Sequence, residues 1–245
     1  MNDPLVLIIV IVVISIVMAL SWYYHKEQKE LKDVEFKIIA AENNLLYSAD
    51  GDRFGAHLKR ARLLSGDLMP KMNTMLTQHH DGFKTHIFNA SHVRGMGKSK
   101  ERVELIGLAV EFETVTLPRF ALKRRTMVDG ISFHDNMVQV GNKQQPKWLE
   151  RKYRLFFQRR GDREEVLQLM SGKQALRNHI AQPSFRLLTG AGQTLVYYVA
   201  GELQPNINFY CPLEDKALRL ARIFARPVVD NQTDEIKVLK EKASR

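Results

Sequence analysis

Residues 71–91 read KMNTMLTQHHDGFKTHIFNAS. Two runs suited to extended backbone flank Asp81-Gly82. Asp and Gly tolerate the positive φ of a type I′ turn, so this pair predicts a β-hairpin. Lys71 to Thr77 is the outgoing strand and Phe83 to Ser91 the return. The unit is antiparallel and closes over two residues, with no room for a crossover helix. It sets the expectation for the fold class: α+β, with a mainly antiparallel sheet and two or three packed helices.

Further strands follow toward the C-terminus. Gly95-Met96-Gly97 marks a second turn, and Arg102 to Val115 is a long strand. A helix there would have to carry Gly107 in its middle. Leu117 to Lys123 is another extended piece. Ile131 to Phe133 and Lys152 to Phe157 are short strands around a polar loop, Gly141 to Lys147. Asp162 and Glu165 form a D-x-x-E pair like a capping box. Val166, Leu169, Met170, Leu176 and Ile180 recur behind it at helical spacing, with Gly172 dividing the run. Ser184 to Thr189 and Gln193 to Ala200 flank Gly190-Ala191-Gly192 as a second hairpin. Pro212 opens the last helix, with Glu214 and Asp215 near the positive end of its dipole. Leu213, Ala217, Leu220, Ala221 and Phe224 make its apolar face, and Lys216, Arg219, Arg222 and Arg226 another side. Pro227 ends it, and residues 227–245 form a charged tail.

Working back from the hairpin, Ser48 to Gly55 (SADGDRFG) is a turn-rich break. Before it, Leu31, Val34, Ile38, Ala41 and Leu45 are spaced 3, 4, 3 and 4, an a/d seam of two heptads. Lys26–Glu30 and Lys29–Asp33 are i,i+4 pairs beside it. Such a stalk packs either on its own domain or on another copy. Leu5 to Trp22 (LVLIIVIVVISIVMALSW) carries no charge. As a helix it spans about 27 Å, close to a bilayer's hydrocarbon thickness. Trp22, Tyr23 and Tyr24 suit the headgroup layer, and Lys26 and Lys29 follow as interface residues. The region before the apolar run lacks Lys and Arg, and bulky aromatics end the run, so an uncleaved anchor is expected. His25, Lys26, Lys29 and Lys32 lie after the span, against Asp3 before it. The positive-inside rule then places the N-terminus outside and the domain in the cytoplasm, on a single-pass inner-membrane protein. The expected division is an anchor over 1–25, a stalk over 26–47, the domain over 48–226 and the tail over 227–245.

The chain has 245 residues and a net charge of +10; residues 1–25 hold only Asp3, so the remainder carries +11. A basic surface favours anionic partners, and for a tethered domain the nearest are lipid headgroups. The single cysteine, Cys211, excludes a disulfide within the chain.

Motifs for chemistry are few. Gly97-Lys98-Ser99 resembles the end of a P-loop, but His92 stands where the first glycine belongs. His79, His80, His86 and His92 cluster without a zinc-ligand spacing, although His86 and His92 share strand parity. Cys211 precedes the expected helix start, where a dipole would favour a thiolate. Glu111/Glu113 and Glu164/Glu165 read as strand and helix surface. Lys59-Arg60-x-Arg62, Lys123-Arg124-Arg125, Arg151-Lys152-x-Arg154 and Arg159-Arg160 are basic runs, with Tyr153, Phe156 and Phe157 beside two of them. Strand alternation buries part of that aromatic set, which disfavours a nucleic-acid surface. No catalytic residue, metal ligand or cofactor is assigned. The expected partners are the bilayer, a membrane or cytoplasmic protein, and a second copy through the stalk.

The order of features resembles an uncharacterised family of bacterial membrane proteins with N-terminal membrane helices and a cytoplasmic α+β domain. The resemblance lies in Gly82-x-x-x-x-x-Phe88 running into Gly97-Lys98-Ser99, then Leu117-Pro118-Arg119-Phe120 and Ile131-Ser132-Phe133. Arg151-Lys152-Tyr153-Arg154-Leu155 and the closing hairpin and helix continue it, over about residues 65 to 226. That family implies no activity and no functional residue. The function expected is a membrane-tethered binding or scaffolding module. The alternatives are an enzyme acting on a membrane-proximal or lipid substrate, and a nucleic-acid tether.

Overall fold

The structure, a computed structural model, describes residues 4–49, 51–61, 63, 68–69, 74–94, 101–125, 137–141, 143–149, 152–158 and 163–225. It opens on one helix, α1 (Pro4–Glu42), of 39 residues. Ile8, Val12, Ile16 and Leu20 in its apolar part all project into open space. The helix is long and apolar enough to cross a membrane. It stops because Asn44 takes a left-handed φ of 54° and the Leu45 N–H closes back onto the Ala40 carbonyl at 2.8 Å. This is a Schellman-type end, with Asn in place of Gly. The expected stalk therefore leaves the helix at Glu42, and Leu46–Ser48 is already a strand, β1.

A helix that the sequence reading left as a turn comes next, α2 (Asp52–Arg60). Gly55 inside it masks the signal, but Phe54 and Leu58, four apart, are buried against the sheet. The strands are β2 (Leu68–Met69), β3 (Met75–His80), β4 (Phe83–Arg94), β5 (Glu101–Phe112), β6 (Leu117–Arg124), β7 (Met137–Gln139), β8 (Tyr153–Gln158), β9 (Phe185–Gly192) and β10 (Thr194–Ala200). Among the described residues all ten strands join one sheet, in the order β1-β3-β4-β5-β10-β9-β6-β8-β7, with β2 paired to β4. Every pairing is antiparallel. The fold class is thus α+β, as the first hairpin predicts. Gly82 sits at its turn with φ +79°.

Two layers of core flank the sheet. On one face Ile87, Leu108, Leu122 and Leu188 meet Phe36 and Ala40 of α1, together with three C-terminal helices. These are α3 (Arg163–Ser171), α4 (Arg177–Ile180) and α5 (Ile207–Ala225). On the other face Phe88, Leu105, Leu187, Val196 and Tyr198 pack with Phe54, Leu58 and Leu63. Gly107 has a packing reason. It lies opposite Phe88 on β4, and an added Cβ would stand 2.2 Å from the Phe88 ring.

The C-terminal elements refine the sequence reading. The run from Asp162 does divide at Gly172, although Asp162 itself lies outside the described residues. The buried Lys173 beyond it donates from Nζ to the Ile223 carbonyl at 2.7 Å, a cation at the negative end of α5. In the second hairpin Gly190 and Ala191 stay in β9, and the chain reverses at Gly192, whose φ is +57°. The helix expected to open at Pro212 starts at Ile207, and Pro212 lies inside it. Asn206 explains the early start: its side-chain oxygen accepts the Asn208 N–H at 2.8 Å, an N-cap. Tyr210, Ala217, Leu220, Ala221 and Phe224 form its buried face. Ile131–Phe133 and residues 227–245 lie outside the described residues.

Candidate functional site

Antiparallel register assembles a polar cluster at one end of the sheet. Lys84 on β4 stands opposite Glu111 on β5, and Thr194 on β10 stands opposite Glu111 from the other side. Thr77 on β3 stands opposite His86 on β4. All of these share one sheet face, because side chains alternate along a strand. α2 crosses that face and lays His57 over it.

The groups connect. His86 is only 6% exposed; its Nε2 lies 3.0 Å from Glu111 Oε2 and its Nδ1 2.9 Å from Thr77 Oγ1. Nε2–H donates to the carboxylate, and Nδ1 pairs with the threonine hydroxyl. His57 Nε2 lies 3.6 Å from Glu111 Oε1 and 3.1 Å from Thr194 Oγ1. Phe54 covers both rings, with centroids 4.4 Å from His86 and 6.1 Å from His57. The hydrogen bond from His86 holds the Glu111 carboxyl below its ordinary range. Burial opposes this, and the charges of His86, His57 and Lys84 add to it. His57, Lys84, Glu111, Glu113, Gln193 and Thr194 line a cleft of about 600 Å³ here. The result is an ionised carboxylate held between two imidazoles, with ammonium, amide and hydroxyl donors around it. Such a site takes a polar ligand that both donates and accepts.

Glu111 is therefore more than the strand surface that its sequence context implies. Within the histidine cluster, His86 joins Glu111 and His57. His79 is exposed, and His80 lies 3.0 Å from Thr85 Oγ1 and stacks on Phe83. His57, twenty-nine positions before His86, had no sequence signal linking it to the site. Among the described residues no three His, Cys, Asp or Glu side chains are placed to hold a metal ion.

A second cleft, of about 690 Å³, lies between α1 and the domain. Lys32 Nζ reaches Glu202 at 3.3 Å, and Lys37 Nζ reaches Asp33 at 2.7 Å. The Tyr47 hydroxyl also donates to Asp33. Lys37 and then Tyr47 hold the Asp33 carboxyl below its usual value. Burial and the Asp33 carboxylate push the Tyr47 phenol up. Lys26 and Lys29 line the same cleft, and Lys26 Nζ sits 5.7 Å from the Trp22 ring centroid. Trp22, Tyr23 and Tyr24 are exposed on α1.

Other sequence candidates do not converge. Gly97-Lys98-Ser99 lies outside the described residues, as do Arg62, Arg151 and Arg159-Arg160. Cys211 is exposed and lies within α5, not at its start. Glu164 and Glu165 are exposed on the first turn of α3. Strand pairing sets Lys123 opposite Arg154 and Arg124 opposite Tyr153, which joins two of the basic runs. Tyr153 and Phe157 are buried, and Phe156 lies under the Lys123 ammonium at 5.7 Å.

No protein-family model and no curated protein matches the chain. Among solved structures it is similar to the crystal structure of the mycobacterial trehalose monomycolate transport factor A, TtfA. The identity is 12% and the TM-score 0.45, over 78% of this chain and 91% of that one.

Proposed function

We propose that the protein is a membrane-tethered binding module that presents the His57–Glu111–His86 cleft to the aqueous phase, well clear of the bilayer. The observation that carries this is the continuity of α1. One unbroken helix holds the apolar stretch and also Phe36, Ile39 and Ala40, which are buried in the domain. A domain so held keeps a fixed height above the membrane.

The height follows from the chain's course. Leu45 bonds Ala40, and Tyr47 reaches Asp33, so β1 runs back along α1 toward the apolar stretch. β3 then runs away, β4 toward and β5 away, by antiparallel pairing. Glu202 meets Lys32 at the near end, where Gly201 N–H bonds the Glu104 carbonyl. Trp22 to Lys32 is about 15 Å of helix, and Glu104 to Glu111 about 23 Å of strand. Together these lengths set an upper bound of roughly 35–40 Å on the distance from the headgroup belt to the cleft. Glu111 lies toward the far end of β5 from Glu104, on the side away from the headgroup layer. The reading is therefore a binding site for a soluble, polar partner, with Trp22, Tyr23, Tyr24, Lys26 and Lys29 seated in the headgroup layer. By the positive-inside rule the domain faces the cytoplasm.

The exposed Cys211 provides the test of topology without any substitution. A membrane-impermeant maleimide added to intact cells is expected to leave it unlabelled, and added to inverted membrane vesicles to label it. Labelling in intact spheroplasts would place the domain outside. The cleft is tested by crosslinked co-purification of the full-length chain beside Glu111→Gln and His57→Ala. A partner held by the native chain and lost from both variants supports the reading; equal capture by all three removes the cleft from it.

A further inference from the structure

The segment of α1 beyond the membrane stretch carries two apolar stripes, and the domain covers only one. Phe36, Ile39 and Ala40 are buried against the sheet. Leu31, Val34 and Ile38 are 52%, 52% and 51% exposed, and Ala41 is exposed too. At 100° per residue the second stripe lies on the side of the helix opposite Phe36. The stalk thus both packs on its own domain and leaves an a/d seam free. Leu45, the last position of the expected seam, is buried at the helix end and drops out of it.

We propose that this stripe is the contact between two copies of the chain, paired as parallel helices with Leu31, Val34, Ile38 and Ala41 facing their counterparts. Three observations select a second copy as the occupant. The 3-4-3 spacing is the period of a helix–helix seam, and it would be arbitrary for a globular partner. The stripe continues upward through Tyr24 and Leu20 into the apolar stretch, broken only by Glu27 at headgroup height. In one membrane two such helices point the same way and carry their seams at the same height, so register and orientation are set before contact. That removes much of the entropy that a free partner would lose on binding. Charge adds a smaller term. In a parallel pair Lys37 of one helix meets Glu42 of the other, an attraction. Glu30 meets Glu35, a repulsion that Lys26, 3.9 Å from Glu30 on its own helix, offsets.

The pairing leaves the histidine–carboxylate cleft of each copy open, since that cleft lies on the sheet face opposite α1, while Val34, Glu30 and Lys37 bring the seam to the edge of the cleft beside α1. Its effect is to present two histidine–carboxylate clefts side by side, so that a partner with two copies of its ligand would gain avidity.

The test is a cysteine scan of the full-length chain in native membranes, in a Cys211→Ser background. Single cysteines at Leu31, Val34, Ile38 and Ala41 are compared with cysteines at Lys29 and Lys32, on the opposite side of the helix, under mild oxidation. The expected result is a band of twice the monomer mass, several-fold stronger at the seam positions, that weakens when Ile38→Glu is added. Circular dichroism of the Ile38→Glu chain reports whether its domain is still folded. Uniform crosslinking across both sets would overturn the proposal. So would its absence from both, or an adduct of another mass at the seam.

Discussion

Glu111 accepts its hydrogen bond from a histidine that is shut away from water, and this geometry sets the sign of a pH effect. In the folded chain its carboxyl titrates below the ordinary value, chiefly because His86 donates to it. Unfolded, it returns to about 4.3. Between those values the unfolded state binds more protons. Its contribution to stability is therefore complete above the unfolded value and is lost as pH falls through the folded one. Glu111→Ala should flatten the acid limb of a urea-unfolding series on the detergent-solubilised chain. At pH 7 the variant should lose roughly 1–3 kcal/mol, since buried His86 Nε2–H is left without an acceptor. An unchanged acid limb would mean that other carboxylates govern it. Gly107 yields a second residue-scale prediction. Gly107→Ala drives a methyl into the Phe88 ring and should cost about 1–3 kcal/mol in a thermal or urea melt. Adding Phe88→Leu should restore part of that loss, whereas a steeper loss would point to strain elsewhere in β5.

At the scale of elements, α5 carries a proline where the backbone would otherwise bond. Residue 212 is the sixth of the helix, so its N–H would reach the Asn208 carbonyl. Pro212 is exposed, and so is Asn208, so water can serve that carbonyl. Pro212→Ala should stabilise the chain by about 1–2 kcal/mol: the helix gains a bond and loses a clash, against the greater freedom of the unfolded chain. A drop in urea midpoint would show instead that the proline shapes the start of α5. The first hairpin and β5 were legible because turn chemistry and period-2 alternation are local. α2 was not, since only nine residues form it and a glycine interrupts them; its evidence is the sheet face that Phe54 and Leu58 cover.

For the whole molecule, the sheet acts as a spacer. Gly201, next to the Glu202 that meets Lys32 of α1, bonds Glu104 on β5, and the cleft gathers seven residues further along that strand at Glu111. Shortening the stalk by deleting one heptad, residues 24–30, would keep the helical phase nearly intact while lowering the domain by about 10 Å. With a soluble partner, this variant should still fractionate with membranes and still capture its partner through the Glu111 cleft. Lost capture, with the domain still folded, would show that the partner is itself held at a fixed height on the membrane.

The amino-acid sequence by itself determined the apolar helix, the antiparallel α+β character and the two hairpins. Each follows from chemistry within a few residues: side-chain transfer free energy over one stretch, alternation along a strand, positive φ at glycine. Only the tertiary structure decided which side of the stalk is covered and which groups make the cleft. The period of a helix names its stripes but not the neighbour that buries them. Thr77, His86, Glu111 and Thr194 come together through the register of four strands, and His57 through a helix docked across them. Register is fixed by burial on both faces of the sheet at once, which is a property of the assembled core.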